Sequence, residues 1–252
     1  MRPSLVPNLL SAVKRNNDRG LMDVALFEVG PAFTGVQPGE QKTIACAVRS
    51  GKTGPRHWAE KERSVDAFDA KADAIAALAA VNAPISSLQV FKNAPAWYHP
   101  GRSGTLCLGK TVLAAFGELH PRILNAFDVK GPVVACEVYL DAVPPSKGKS
   151  KNKALKISSL MPLTRDFAFV MDRNVEAAKL LNAIKGLDKE LIEDVRIFDV
   201  YEGDKLPIGQ KSLAVEVVIQ PKDKTLTDEE IELLSQRIIG VAAKAAGAEL
   251  RK

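Results

Sequence analysis

RIFDVYEGDKLPIGQKSLAVEVVIQ, residues 196–220, reads as two strands joined by a loop. Side chains alternate between the two faces of a strand. On the second strand Leu213, Val215, Val217 and Ile219 form an apolar side, and Ser212, Ala214 and Glu216 take the other. On the first strand Phe198 and Val200 match the apolar side, which leaves Asp199 and Tyr201 on the polar one. An acid, a phenol and a hydroxyl are thus expected on the same face.

The flanking sequence supplies the rest of a domain. RDFAFVMD (165–172) reads as a strand, and Asn174 as the cap of a helix running to about Leu187, with Ala178, Leu181 and Ile184 at helical spacing. Thr227 and Glu230 form a capping-box pattern, followed by a stripe of Ile231, Leu234, Ile238, Val241 and Ala245. Gly247 ends that helix and AELR (248–251) is a short last strand. The order is βαββαβ, a ferredoxin-like split motif. In that arrangement both helices lie on one face of the sheet, and the polar side of the quoted strands is the open face.

Upstream, PPSKGKSKNKALK (144–156) has five lysines and no acid and cannot fill a core, so it marks a linker over 144–157. The expected division is one domain over 1–143 and a second over 158–252. The first has a less regular pattern. SLVPNLLSAVKRNN reads as a helix, VALFEVG as a strand and VDAFDAKADAIAALAAV as a long helix; further strands follow near 104–108, 111–117 and 132–140. The class is α+β with an antiparallel sheet.

Composition narrows the functions. The 252 residues are 46% hydrophobic and 26% charged, a globular balance, and nothing approaches the roughly 20 apolar residues of a membrane span. The start has Pro3 and Pro7 and no compact apolar run, unlike a secretory signal. Cys46, Cys107 and Cys136 are odd in number, far apart and set in apolar runs, which points to reduced thiols in a cytoplasmic protein. The net charge is +5, yet residues 157–252 carry 14 Lys and Arg against 17 Asp and Glu, a net of −3. Recognition by the second domain therefore has to come from placed residues and not from a general positive field.

Several motifs carry no chemistry. GTLCLGKT (104–111) spells a phosphate loop, but its middle is strand material and another alternating run follows, so Gly109-Lys110 is read as a hairpin turn. His99 and His120 each precede a proline and lack metal-ligand spacing. No nucleophile elbow or hydrolase signature is found. Catalytic residues: none.

Asp199, Tyr201 and Ser212 remain. Exposed polar strand residues are routine, and a solvated face is the simpler reading. The sharper one is a base platform, in which the tyrosine ring stacks on a base while the carboxylate and hydroxyl hydrogen-bond its edge. A carboxylate only accepts, so it favours a base with N–H donors, as guanine has.

The run RDFAFVMD…IFDVYEGDKLPIGQKSLAVEVVIQPKDKTLTDEEI…GAELR resembles the ferredoxin-fold anticodon-binding domain at the end of bacterial phenylalanyl-tRNA synthetase β subunits. MRPSLVPNLLSAVKRNNDRG, LFEVGPAF, HPGRSGTLCLG and FGELHP resemble that family's catalytic-like domain, a class II synthetase-like core without working catalytic motifs. The resemblance implies that Asp199, Tyr201 and Ser212, with Arg251 as a weaker carry-over, approach the first anticodon base, a guanine. It implies tRNA(Phe) as partner of 158–252 and the α subunit as partner of 1–143, within an (αβ)₂ enzyme that uses ATP and Mg2+ to charge tRNA. No cofactor is expected in this fragment, and no catalysis by it. Family β subunits are several times longer, so Met1 reads as an internal methionine. Two other classes stay open: a ferredoxin-like regulatory module sensing a small metabolite, and a purely structural interaction domain, which fits 1–143 better than 158–252.

Overall fold

The computed structural model describes residues 1–145 and 158–251. They fall into two compact units, one on either side of the undescribed stretch. The expected linker lies almost wholly outside the described residues.

The N-terminal unit is an antiparallel six-stranded sheet in the order β1-β2-β6-β5-β4-β3. Its strands are β1 (Val24–Phe33), β2 (Gln41–Ser50), β3 (Gln89–Phe91), β4 (Tyr98–Leu108), β5 (Thr111–Leu119) and β6 (Val133–Tyr139). Helix α1 (Val6–Asn17) lays Leu9, Leu10 and Val13 on one face, against Ile44, Cys46 and Val48. Helix α2 (Ala67–Ala80) covers the other through Ala70, Ala74 and Leu78, against Leu113, Val134 and Val138. The central strand β6 is therefore buried on both sides, which explains its near-continuous apolar run. Sequence reading finds β1 and the strands β4 to β6 but passes over β2 and the three-residue β3.

Three features of this unit follow from local chemistry. Gly109, at φ +59, turns β4 into β5 as a hairpin, so no helix follows GTLCLGKT and the phosphate-loop spelling has no counterpart. His120 caps the short helix α3 (Pro121–Ala126), its Nδ1 accepting from the Arg122 amide at 3.1 Å, and His99 Nδ1 accepts from the Gly101 amide at 3.1 Å. Glu137 is only 1% exposed, yet accepts from Ser4 Oγ at 2.9 Å, Trp97 Nε1 at 2.8 Å and Tyr98 Oη at 3.2 Å. Three neutral donors offset the cost of taking that carboxylate out of water.

The C-terminal unit has β7 (Leu163–Asp172), α4 (Ala177–Leu187), β8 (Ile192–Tyr201), β9 (Gln210–Ile219), α5 (Asp228–Ala246) and β10 (Glu249–Leu250). Its antiparallel sheet runs β10-β7-β9-β8. Phe167, Phe169 and Met171 of β7 and Leu213, Val215, Val217 and Ile219 of β9 pack against Leu180, Ile184, Leu234 and Ile238 of the two helices. Each such buried side chain contributes about 1.5–3 kcal/mol relative to exposure. Thr227 and Glu230 close both halves of a capping box, and Gly247 ends α5 in the left-handed region.

The helix details differ from the sequence reading. Helix α4 starts after Glu176, while Asn174 lies in the preceding turn, its amide donating to Asp172 Oδ1 at 2.7 Å. Leu180, and not Ala178, is its buried contact. The stripe on α5 continues through Ala242 and Ala246 in place of Val241 and Ala245, because spacing of four keeps to one side of a straight helix.

Candidate nucleic-acid interface

Register fixes which side chains share the helix-free face. Tyr201 pairs with Ser212 and Ser212 with Val170; Asp199 pairs with Ala214 and Ala214 with Ala168. Neither helix covers these positions, since the residues facing the helices are the alternate set. Arg251 joins the second row from the far edge, its amide donating to the Ala168 carbonyl at 2.7 Å. The two alanines thus form a low floor, with Asp199 at one end and Arg251 at the other.

The placement of Asp199 depends on a bulge. Counting strictly from Val195, plain alternation would turn Asp199 toward the helices. A register shift between Ile197 and Asp199 absorbs Phe198 as an extra residue, so Asp199, Val200 and Tyr201 resume pairing with Ala214, Leu213 and Ser212. Phe198 and Val200 are not buried as their alternation suggests: they are 58% and 54% exposed, beyond the part of β8 that packs into the core through Ile192 and Val195.

Around the Tyr201 ring the groups are close. The Arg251 guanidinium carbon lies 5.3 Å from the ring centroid, a cation–π contact. Ser212 is 3% exposed although it lies on the open face, flanked in its row by Tyr201 and Val170. Neither the Ser212 hydroxyl nor the Asp199 carboxylate has a hydrogen bond or ion pair among the described residues. A nearly covered hydroxyl and an unengaged carboxylate beside an aromatic ring retain their hydrogen-bonding capacity for a ligand.

The rest of the face is poor in cations. Asp166, Asp194, Glu216 and Glu249 lie there with Arg196, which is paired to Glu216. Phosphate binding across this surface is disfavoured, and a base is the part of a nucleotide that the cluster suits. The sequence reading names Asp199, Tyr201, Ser212 and Arg251, but not the Ala168–Ala214 floor or the cation–π contact. Alternation in two adjacent strands could have given the alanines; the contact depends on the edge position of β10 and has no local signal.

Comparison with known proteins agrees with both units. Residues 1–140 match the family model of the phenylalanyl tRNA synthetase beta chain CLM domain, and residues 158–251 match the ferredoxin-fold anticodon binding domain. A synthetase-type domain followed by an anticodon-binding module defines a component of an aminoacyl-tRNA synthetase. The chain belongs to the phenylalanyl-tRNA synthetase beta-chain family. It is 53% identical over 253 residues to the phenylalanine–tRNA ligase beta subunits of Paramagnetospirillum magneticum and Rhodospirillum rubrum. The match covers all of this chain and 32% of each relative, so the chain spans about a third of their length. Among solved structures, pyrrolysyl-tRNA synthetase from Desulfitobacterium hafniense aligns with 57% of this chain and 48% of its own at 18% identity and a TM-score of 0.42.

No described helix is long and apolar enough to cross a membrane. Among the described residues no group of three or more His, Cys, Asp or Glu is placed to hold a metal ion.

Proposed function

We propose that this chain is the C-terminal part of a phenylalanine–tRNA ligase β subunit, divided into a catalytic-like domain over 1–143 and an anticodon-binding domain over 158–252. In the intact cytoplasmic enzyme it helps to hold tRNA(Phe) while phenylalanine is attached at the expense of ATP. ATP and Mg2+ act outside the described residues, and the fragment itself performs no catalysis. The observation that carries this reading is the convergence of Asp199, Tyr201, Ser212 and Arg251 on the open face of a unit matched by an anticodon-binding family model.

The chemistry of the cluster suits guanine at the first anticodon position. The Tyr201 ring offers the stacking surface. Asp199 accepts from the N1 and N2 hydrogens, which adenine does not present at those positions, and Ser212 supplies a hydroxyl that donates or accepts. The Arg251 fork suits O6 and N7. At 5.3 Å from the ring centroid the guanidinium leaves no room for an intervening base, since two stacked gaps need about 7 Å; binding therefore requires Arg251 to lift or slide.

The N-terminal unit serves as the α-subunit partner. Supporting this, the edge strand β1 presents Phe27 and Val29, 80% and 56% exposed, beside unpaired backbone groups. Size-exclusion chromatography of the chain with the α subunit and tRNA(Phe) tests the assignment. Co-elution with both is expected; independent elution of all three contradicts it. Metabolite sensing by the ferredoxin-like unit has no such convergence of evidence.

A further inference from the structure

Gly203 stands two residues past Tyr201, at the start of the loop into β9. Glycine is usually required where φ is positive, but Gly203 is not among the positive-φ glycines of the chain. Its constraint is spatial. A Cβ at this position would lie 2.7 Å from Tyr201 Oη, 2.8 Å from Cζ and 3.2 Å from Cε2, closer than carbon atoms pack. The backbone is held on one side of the contact, where the Leu206 amide donates to the Gly203 carbonyl at 3.0 Å, and the neighbouring Glu202 side chain pairs with Arg173 at 3.0 Å. The ring is the part free to yield, since it is the tip of a half-exposed side chain in contact with Arg251.

We infer that Gly203 is a positioning residue for base recognition: its missing side chain leaves the gap that sets the Tyr201 ring above the Ser212 row and within reach of Arg251. The inference rests on the base-reading role proposed above. Glycine here fixes where an aromatic plane lies without being called for by a positive φ. Any side chain at 203 tips the ring away from the place where a base would meet Asp199 and Ser212 together.

The test is a double-variant cycle on the full chain. Binding of a tRNA(Phe) anticodon stem-loop with guanine at its first anticodon position is measured by fluorescence anisotropy for Gly203→Ala, Tyr201→Ala and the pair combined. The Tyr201 ring signal is followed in tyrosine-labelled protein. Gly203→Ala is expected to weaken binding at least about fivefold, part of the loss caused by removing the ring altogether. It should shift the Tyr201 signal and leave the thermal midpoint within about 2 °C. Combined with Tyr201→Ala it should add nothing, because it acts through the ring. Weakened binding on Tyr201→Ala beside unchanged binding on Gly203→Ala overturns the inference alone. A fall in midpoint with an unmoved ring signal also overturns it, marking a loop requirement. Unchanged binding on Tyr201→Ala removes the base-reading proposal beneath it.

Discussion

Arg251 and Tyr201 meet across the full width of a four-stranded sheet: one follows the edge strand β10, the other ends the opposite edge strand β8, and the guanidinium carbon lies 5.3 Å from the ring centroid. No local signal places a residue near the C-terminus over a ring on the far edge. The contact follows from the antiparallel return of β10 beside β7 and the lean of both side chains over the β9 row.

Arg251→Ala should weaken binding of the anticodon stem-loop by about 1–3 kcal/mol and relax the preference for guanine at its first anticodon position, because the fork reads a base edge and not a phosphate. Arg251→Lys should recover only part of that loss, since an ammonium lacks the planar fork. Anisotropy titrations with guanine and adenine stem-loops check both.

Asp199→Asn keeps size and changes chemistry. An amide offers one acceptor where the carboxylate offers two, so the preference for guanine over adenine at the first anticodon position should fall by about 1.5–3 kcal/mol. Paired titrations with the two stem-loops measure that difference, and thermal unfolding should be unchanged because the residue is exposed.

In the N-terminal unit, Glu137→Ala strips one acceptor from three donors, Ser4, Trp97 and Tyr98, and leaves a cavity. A loss of about 2–5 kcal/mol is expected in urea unfolding. Glu137→Gln, which preserves volume and an acceptor, should cost less.

Burial first, and the Glu137 charge among lesser causes, pushes the Cys46 thiol and the Tyr98 and Tyr139 phenols upward; burial raises Cys136 to about 12 from an ordinary 9.0. In the unfolded chain these thiols release protons from about pH 9, while the folded unit holds them in the neutral form. Raised values of this kind stabilise fully below pH 9 and fade as pH climbs from 9.0 toward 12. The midpoint of the N-terminal unit should fall over that window, and a thiol reagent at pH 8 should label Cys46, Cys107 and Cys136 only after denaturation, since all three are buried.

Phe27→Glu places a charge on the exposed side of β1. Capture of the α subunit should weaken at least about tenfold, with the fold intact because Phe27 is not in the core. Analytical size exclusion against the α subunit reports the loss.

The order βαββαβ could be read from period alone, because its strands alternate cleanly and α5 announces itself through Thr227, Glu230 and Gly247. Asp199 and Tyr201 lie on the helix-free face only because the bulge at Phe198 resets the phase, and nothing in IFDVY distinguishes a bulged strand from a straight one. Strand β2 escaped notice because its four buried residues, Ile44, Cys46, Val48 and Ser50, alternate with Ala45, Ala47 and Arg49, so burial alternates while hydrophobicity hardly does. Arg251 and Gly203 depend on tertiary approach, which a one-dimensional pattern does not encode.

The proposed reader of guanine is one aromatic ring with a carboxylate and a hydroxyl beside it. The most direct measurement is the affinity of the chain for tRNA(Phe) anticodon stem-loops with guanine or adenine at the first anticodon position, before and after Tyr201→Ala. Guanine is expected to bind more tightly, with a loss of about 1–3 kcal/mol on removing the ring. Equal affinity for the two bases, unaffected by Tyr201→Ala, would contradict it.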